Sequence, residues 1–340
     1  MAKPRHRATW VMIGLGIILF VLFLVSFVLG RYDVSIVQVL RILFSHIFPL
    51  KETWTSQMYS AVVNIRLPRI VMACLVGCCL SSAGAAYQGV FQNPMASPDV
   101  LGASSGASFG AALAILSGLV ANGITVSAFF WSILTVFIAY LVANRAPGNR
   151  VLSLVLAGMV ISSLFSAGTS YIKLVADPTN QLPAITYWLM GSLNNTQLSD
   201  VIMILPPMLI GLVPLFLLRW RINLLTMGDE EAHTLGVNTT ALRLGIVVCA
   251  TLVTASSIAV SGTIGWVGLI IPHLCRQLVG NNFRVLMPAS MLCGAAFLLA
   301  VDDVSRNLLA TEIPIGILTA IIGAPVFLYL LLRRERADEC

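Results

Sequence analysis

Apolar positions dominate the chain in runs far longer than a strand needs, and charged residues sit in short clusters between them. Charge-free stretches cover residues 8–30, 70–98, 100–144, 151–172, 201–218, 244–275, 285–301 and 313–332. Crossing a bilayer as a helix takes about 20 apolar residues, so most of these runs predict one membrane span each. The run 100–144 is long enough for two, with the break expected near Ala121-Asn122-Gly123. The run 244–275 is long for one span and short for two.

Two further apolar segments do not qualify. Residues 34–50 are interrupted by Arg41 and His46 and reach Pro49, which predicts an amphipathic helix lying on the outer interface. Leu182–Leu193 is flanked by Asn180, Gln181, Asn194 and Asn195 and is too short to cross, so it reads as an outer re-entrant or surface helix. Residues 10–29 are long enough for a true first span, and no small-residue cleavage site of a signal peptide follows them.

Composition changes the picture only by excluding alternatives. Of 340 residues, 58% are hydrophobic and 10% charged, and the mean hydropathy is +0.92. A soluble domain carries roughly 25% charge, so soluble enzymes, nucleic-acid binders and disordered scaffolds are excluded in favour of one polytopic membrane domain over 1–340. The net charge of +6 then bears on orientation. Lys3, Arg5 and Arg7 place the N-terminus in the cytoplasm. If 244–275 crosses twice, turning at Gly262, Gly265 and Gly268, the tail with Arg333, Arg334 and Arg336 is cytoplasmic too. Thirteen of the 20 Lys and Arg then lie inside and seven outside, Arg31 and Lys51 among the latter. The expected fold is therefore all-α, with ten transmembrane helices and both termini cytoplasmic.

The assigned spans contain no Asp, Glu, Lys or Arg within them; Asp302 and Asp303 come closest, at the outer end of the ninth. Ion-coupled transporters usually keep an ionisable group within the membrane, so an ion-driven secondary transporter lacks its expected feature. A Walker A pattern is missing as well, so any energy from nucleotide must come from another chain. The seven cysteines, among them Cys78-Cys79 and Cys340, fall in spans or on the inner side and lack metal-ligand spacing, so neither a metal site nor a disulfide framework is expected.

Gly102-Ala-Ser-Ser-Gly106 matches the Gly-x-Ser-x-Gly form of a serine nucleophile, and Ser104 or Ser105 with His273 would make an intramembrane hydrolase. That elbow requires a preceding strand. The four-residue spacing of Gly102, Gly106 and Gly110 instead reads as a small-residue face for close helix packing.

Charged clusters between spans offer handles on both faces. In the inner loop over 225–243, Gly228-Asp229 can start a helix, Glu230 and Glu231 suit its first turn, and Gly236 can end it after Ala232, His233 and Leu235. This two-turn piece is either a solvated connector or a knob held for a soluble partner. On the outer face Arg66, Arg69 and Arg306 sit at span ends, where arginines either snorkel or bind the carboxylates of a partner.

Several of these segments together resemble one family. Arg66-Leu-Pro-Arg69, Tyr87-Gln-Gly-Val-Phe-Gln-Asn-Pro-Met-Ala-Ser-Pro98 and Leu101-Gly-Ala-Ser-Ser-Gly-Ala107 look like the first half of FecCD-type permeases. Gly265-Trp-Val-Gly-Leu-Ile-Ile-Pro-His-Leu-Cys-Arg276, Leu286-Met-Pro-Ala-Ser290 and Glu312-Ile-Pro-Ile-Gly-Ile-Leu-Thr-Ala-Ile-Ile-Gly-Ala-Pro-Val-Phe327 match the second half. The matches run collinearly over about residues 60–330. Such permeases are the membrane subunits of type II ABC importers for iron-siderophores, haem and cobalamin.

The resemblance implies ten helices, with spans two to five and seven to ten related by inverted pseudo-symmetry. It implies a bacterial plasma or inner membrane, a second permease copy or paralogue, two cytoplasmic ATPase subunits that hold ATP and Mg, and an extracytoplasmic substrate-binding protein. Arg66, Arg69 and Arg306 match the family's outer docking arginines, and Glu230–Gly236 matches its coupling-helix region. The expected activity is inward transport of an iron(III)-siderophore or similar chelate by alternating access, with haem, cobalamin and molybdate as other family cargoes. This chain would bind no cofactor itself. Pathway candidates are Gln88, Asn93, Ser97, Ser162, Ser166 and Thr169.

Overall fold

The computed structural model describes residues 3–30, 32–45, 48, 53–147 and 150–338. Arg31, His46, Pro49, Lys51 and Cys340 lie outside them, as do the side chains of Lys3, Arg5, Asp229, Glu230, His233, Arg333, Arg334 and Arg336. The described residues form helices joined by short turns, with no strand among them: α1 (Lys3–Val28), α2 (Ile36–Ser45), α3 (Ser56–Tyr59), α4 (Leu67–Val90), α5 (Ala103–Leu116), α6 (Ala121–Arg145), α7 (Arg150–Val175), α8 (Gln181–Leu189), α9 (Leu198–Leu225), α10 (Asp229–Thr234), α11 (Thr239–Ser261), α12 (Val267–Val279), α13 (Phe283–Asn307) and α14 (Ile315–Asp338). Seven helical stretches are long and apolar enough to span a membrane; α2, α5, α12 and the apolar part of α14 are shorter.

The bundle is organised around α4, which packs against α9, α11, α12 and α13. Some 78% of its most apolar window is buried inside the molecule, against 11% for α1 at the periphery. Hydrophobicity cannot drive helices together in lipid, so close backbone approach must do so. At Gly84 a Cβ would overlap the backbone of Gly268 on α12, and at Gly77 it would overlap Gly294 on α13. Helices α1, α7, α9 and α14 turn large apolar side chains outward, among them Ile17, Val160, Leu174, Ile210 and Ile321. In water such a surface would aggregate; in a bilayer it is the wetted surface.

The 244–275 run breaks as its glycines predict. Helix α11 ends at Ser261, and α12 begins at Val267 after the left-handed Gly262 and a Trp266 with φ of +71°. A bulky residue rarely adopts that conformation, and here the Trp266 ring is held edge-on to Phe327 of α14, 6.0 Å between centroids. Helix α8 docks on this break: Ser192 N–H donates to Ser261 O at 2.8 Å, and the Thr263 hydroxyl donates to Leu189 O. The other expected break is corrected. Between α5 and α6 the chain turns at Ser117–Val120, not at Ala121-Asn122-Gly123, because the left-handed Gly118 (φ +73°) ends α5 while Asn122 and Gly123 already lie in the first turn of α6.

Candidate functional sites at the two ends of the bundle

Hydrogen bonds between helix ends define two opposite faces. Ser26 near the end of α1, Arg66 and Arg69 at the start of α4 and Arg306 near the end of α13 meet on one face. The end of α4, the start of α13, the end of α9 and α10 lie on the other.

On the first face the backbone enters α4 through a π-helical turn, Ser60–Arg66, and Pro68 sits in the first turn of the α-helix. Arg66 and Arg69 therefore point to one side, one turn apart. Asp302, Asp303 and Arg306 project from α13 with i,i+3 and i,i+4 spacing. The Arg69 guanidinium bridges two carboxylates: Nε donates to Asp302 at 2.9 and 3.1 Å, and Nη1 donates to Glu312 at 2.9 and 3.1 Å. Arg306 pairs with Asp303, approaches Asp302 at 3.7 Å and donates to Ser26 O at 3.1 Å. The Ser26 hydroxyl donates to Asp303. Arg66 carries no carboxylate partner and donates instead to the carbonyls of Phe27 and Tyr32.

The expectation of three exposed arginines is therefore corrected. Arg66, Arg69 and Arg306 are only 5%, 6% and 7% exposed. Asp302, Asp303 and Glu312 neutralise Arg69 and Arg306, and two backbone carbonyls hold Arg66, so none of the three snorkels. Glu312 and Ser26 were not singled out as site residues; Glu312 opens the Glu-Ile-Pro-Ile-Gly segment, the one signal that marks it.

On the opposite face α4 ends in a turn where Gln92 adopts φ of +50° and donates from its side chain to Leu225 O at 2.5 Å, tying the turn to the end of α9. Gly228 and Gly236, both with positive φ, bracket α10. Ala232 is fully buried against the bundle, whereas Leu235 is 59% exposed and Glu231 is exposed. A cleft of about 640 Å³ opens beside this turn, lined by Gln88, Gln92, His273 and Arg276. A second, of about 470 Å³, is lined by Asn93, Val100, Val151 and Gly228.

The pathway candidates are not gathered into one lining. Gln88 borders the first cleft and Asn93 the second. The Ser97 hydroxyl accepts from Asp99 N–H and caps the 3-10 turn Pro98–Leu101. On α7, the hydroxyls of Ser162 and Thr169 donate to the carbonyls of Gly158 and Phe165, and Ser166 lies 3.4 Å from Ser105. The Ser104 hydroxyl donates to Asp99, and a 3-10 turn precedes α5 where a nucleophile elbow would need a strand. Gly106 and Gly110 face Trp131, Thr135 and Ser127 of α6 with no room for a Cβ, while Gly102, with φ of +86°, caps α5 beside Ser162. No group of three potential metal ligands occurs among the described residues.

The sequence profile of the FecCD transport family matches residues 18–333. The chain belongs to that family. A molybdate import system permease of Haemophilus influenzae is 38% identical over 96% of both chains. A probable iron chelatin transport permease of Helicobacter pylori is 44% identical over 80% of this chain and 82% of its own. Among solved structures, a metal-chelate type ABC transporter in an inward-facing conformation superimposes with a TM-score of 0.86 at 37% identity, covering 96% of this chain and 99% of that one. As a FecCD permease the chain is a membrane-embedded transport subunit and not itself an enzyme.

Proposed function

We propose that this FecCD permease carries an iron(III)-siderophore or similar metal chelate inward by alternating access, as one of two permease chains in an ATP-driven importer. The match to the inward-facing metal-chelate transporter along nearly the full chain is the observation that carries this reading. The seven long helices, with α5, α14 and the broken segment 262–279, would make ten crossings, and the excess of Lys and Arg on the side of Arg145, Arg243 and Arg276 supports a cytoplasmic α10. There Glu231, Ala232, Leu235 and Gly236 would offer a short helix to a groove on an ATPase subunit, the partner that holds ATP and Mg. This chain would bind no cofactor.

The arginine face would then meet an extracytoplasmic binding protein. Because Arg66, Arg69 and Arg306 are already bonded internally, docking would proceed by exchange: carboxylates of the binding protein compete with Asp302, Asp303 and Glu312 for Arg69 and Arg306, and with the Phe27 and Tyr32 carbonyls for Arg66. A molybdate cargo is the second reading, favoured by the length of the match to the molybdate permease. Reconstitution tests both. Uptake of a ferric siderophore or of molybdate that requires ATP, the ATPase subunit and the binding protein is expected. Uptake by this chain alone, driven by an ion gradient, would contradict the proposal.

A further inference from the structure

Arg69 and Arg306 have carboxylate partners and Arg66 has carbonyl partners at one end of the bundle; Arg276, at the other end, has neither. Arg276 lies near the end of α12, and its Nη1 is buried without a hydrogen-bond partner. No ion pair joins it among the described residues, whose ion pairs with one another all belong to Arg69 and Arg306. A guanidinium cannot shed its proton, so a partly buried one without a counter-charge is held at a cost that an anion would remove. The cleft of about 640 Å³ that Arg276 lines has His273, Gln92, Thr226 and Gln277 around it and no Asp or Glu.

Gln88 supplies the second, independent observation. It is 2% exposed, and its Nε2 donates to Leu269 O at 3.2 Å. That bond fixes the amide orientation, since a carbonyl can only accept. The amide oxygen is thereby left buried, at the cleft, without a donor. The cleft thus presents one charged donor and one oriented acceptor, both unmet by protein.

The geometry points to an oxyanion subsite in this cleft: Arg276 takes a charged oxygen and the Gln88 oxygen accepts from a hydroxyl of the same ligand. The ligand class is an oxygen-rich anion that keeps at least one O–H, such as a hydrogenphosphate group or a hydroxylated anionic chelate. A fully deprotonated oxyanion meets only half of the site and sets its lone pairs against the Gln88 oxygen. Seated on the inner face, the subsite would hold an anionic cargo as it leaves; this placement rests on the importer reading, whereas the binding chemistry does not.

The test is equilibrium binding of inorganic phosphate and of sulfate to the full chain in nanodiscs near neutral pH, without ATP or partners. Phosphate carries a P–OH there and sulfate does not. The wild-type chain is expected to bind phosphate more tightly than sulfate. Arg276→Gln weakens both by about tenfold or more, the scale of a charge-assisted hydrogen bond. Gln88→Leu narrows the phosphate-to-sulfate ratio, and Arg276→Lys retains most of the binding, which separates lost charge from lost fold. Phosphate binding unchanged in Arg276→Gln, or equal binding of the two anions by the wild type, overturns the assignment. Displacement of phosphate by ferric citrate identifies the anion as a chelate, and its failure with phosphate binding intact identifies a cytosolic phosphate group; either outcome keeps the site. Loss of ATP-dependent uptake with anion binding intact counts against the importer reading and leaves the subsite standing.

Discussion

The two ends of the bundle use the same residue type to opposite effect. At one end Arg69 and Arg306 are buried among Asp302, Asp303 and Glu312, so the charge is cancelled within the chain. At the other, Arg276 borders an open cleft with no carboxylate in its lining. An arginine is expensive in a low-dielectric setting only when unpaired. The first end therefore reads as a clamp that joins α1, α4, α13 and the segment before α14, and the second as a surface left chemically unfinished for a ligand.

Substitutions separate the two ends by sign. The largest effect is expected from Asp302→Ala, which removes the carboxylate that Arg69 and Arg306 share and leaves each with one acidic partner, Glu312 and Asp303: a loss of about 3 kcal/mol in unfolding free energy, read by thermal or denaturant unfolding in detergent. Gly84→Leu attacks the packing beneath both ends by driving a side chain into Gly268, with a cost of about 1–3 kcal/mol or more by the same assay. Removing charge from the opposite end should do the reverse. Arg276→Gln without added anion is expected to leave stability unchanged or raise it by about 1 kcal/mol, since a half-buried, unpaired cation disappears. A large loss there would abolish the contrast. Smallest of all, Glu231→Ala with Leu235→Ala should change stability by less than about 0.5 kcal/mol, both being exposed, yet release the ATPase subunit on co-purification. Retained co-purification would count against α10 as the coupling element.

Much of the architecture was legible because its signals are local. Charge-free runs mark the long apolar helices, Gly262 and Gly265 mark the break before α12, and Gly228 and Gly236 bracket α10. The turn after α5 was misplaced because Asn122-Gly123 is a strong turn signal in isolation, yet Gly118 supplies the left-handed residue that ends the helix first. The clamp was legible only in part. The Asp302, Asp303 and Arg306 spacing is visible along one helix, but Arg69 meets Asp302 across 233 positions of chain. Nothing in the order of residues says that two distant helix ends abut, so the arginines looked like exposed handles. Gln88 was singled out from the polar residues near the end of its span; that its amide oxygen would be left without a donor depends on Leu269, on another helix.

The account turns on the chain being a conduit powered from outside itself. The most direct measurement is cargo uptake into proteoliposomes that hold this permease with its ATPase subunit, supplied with loaded binding protein and with or without ATP inside. Uptake that appears only with ATP and both partners is the predicted result. Uptake that persists without ATP, or without the ATPase subunit, would contradict it.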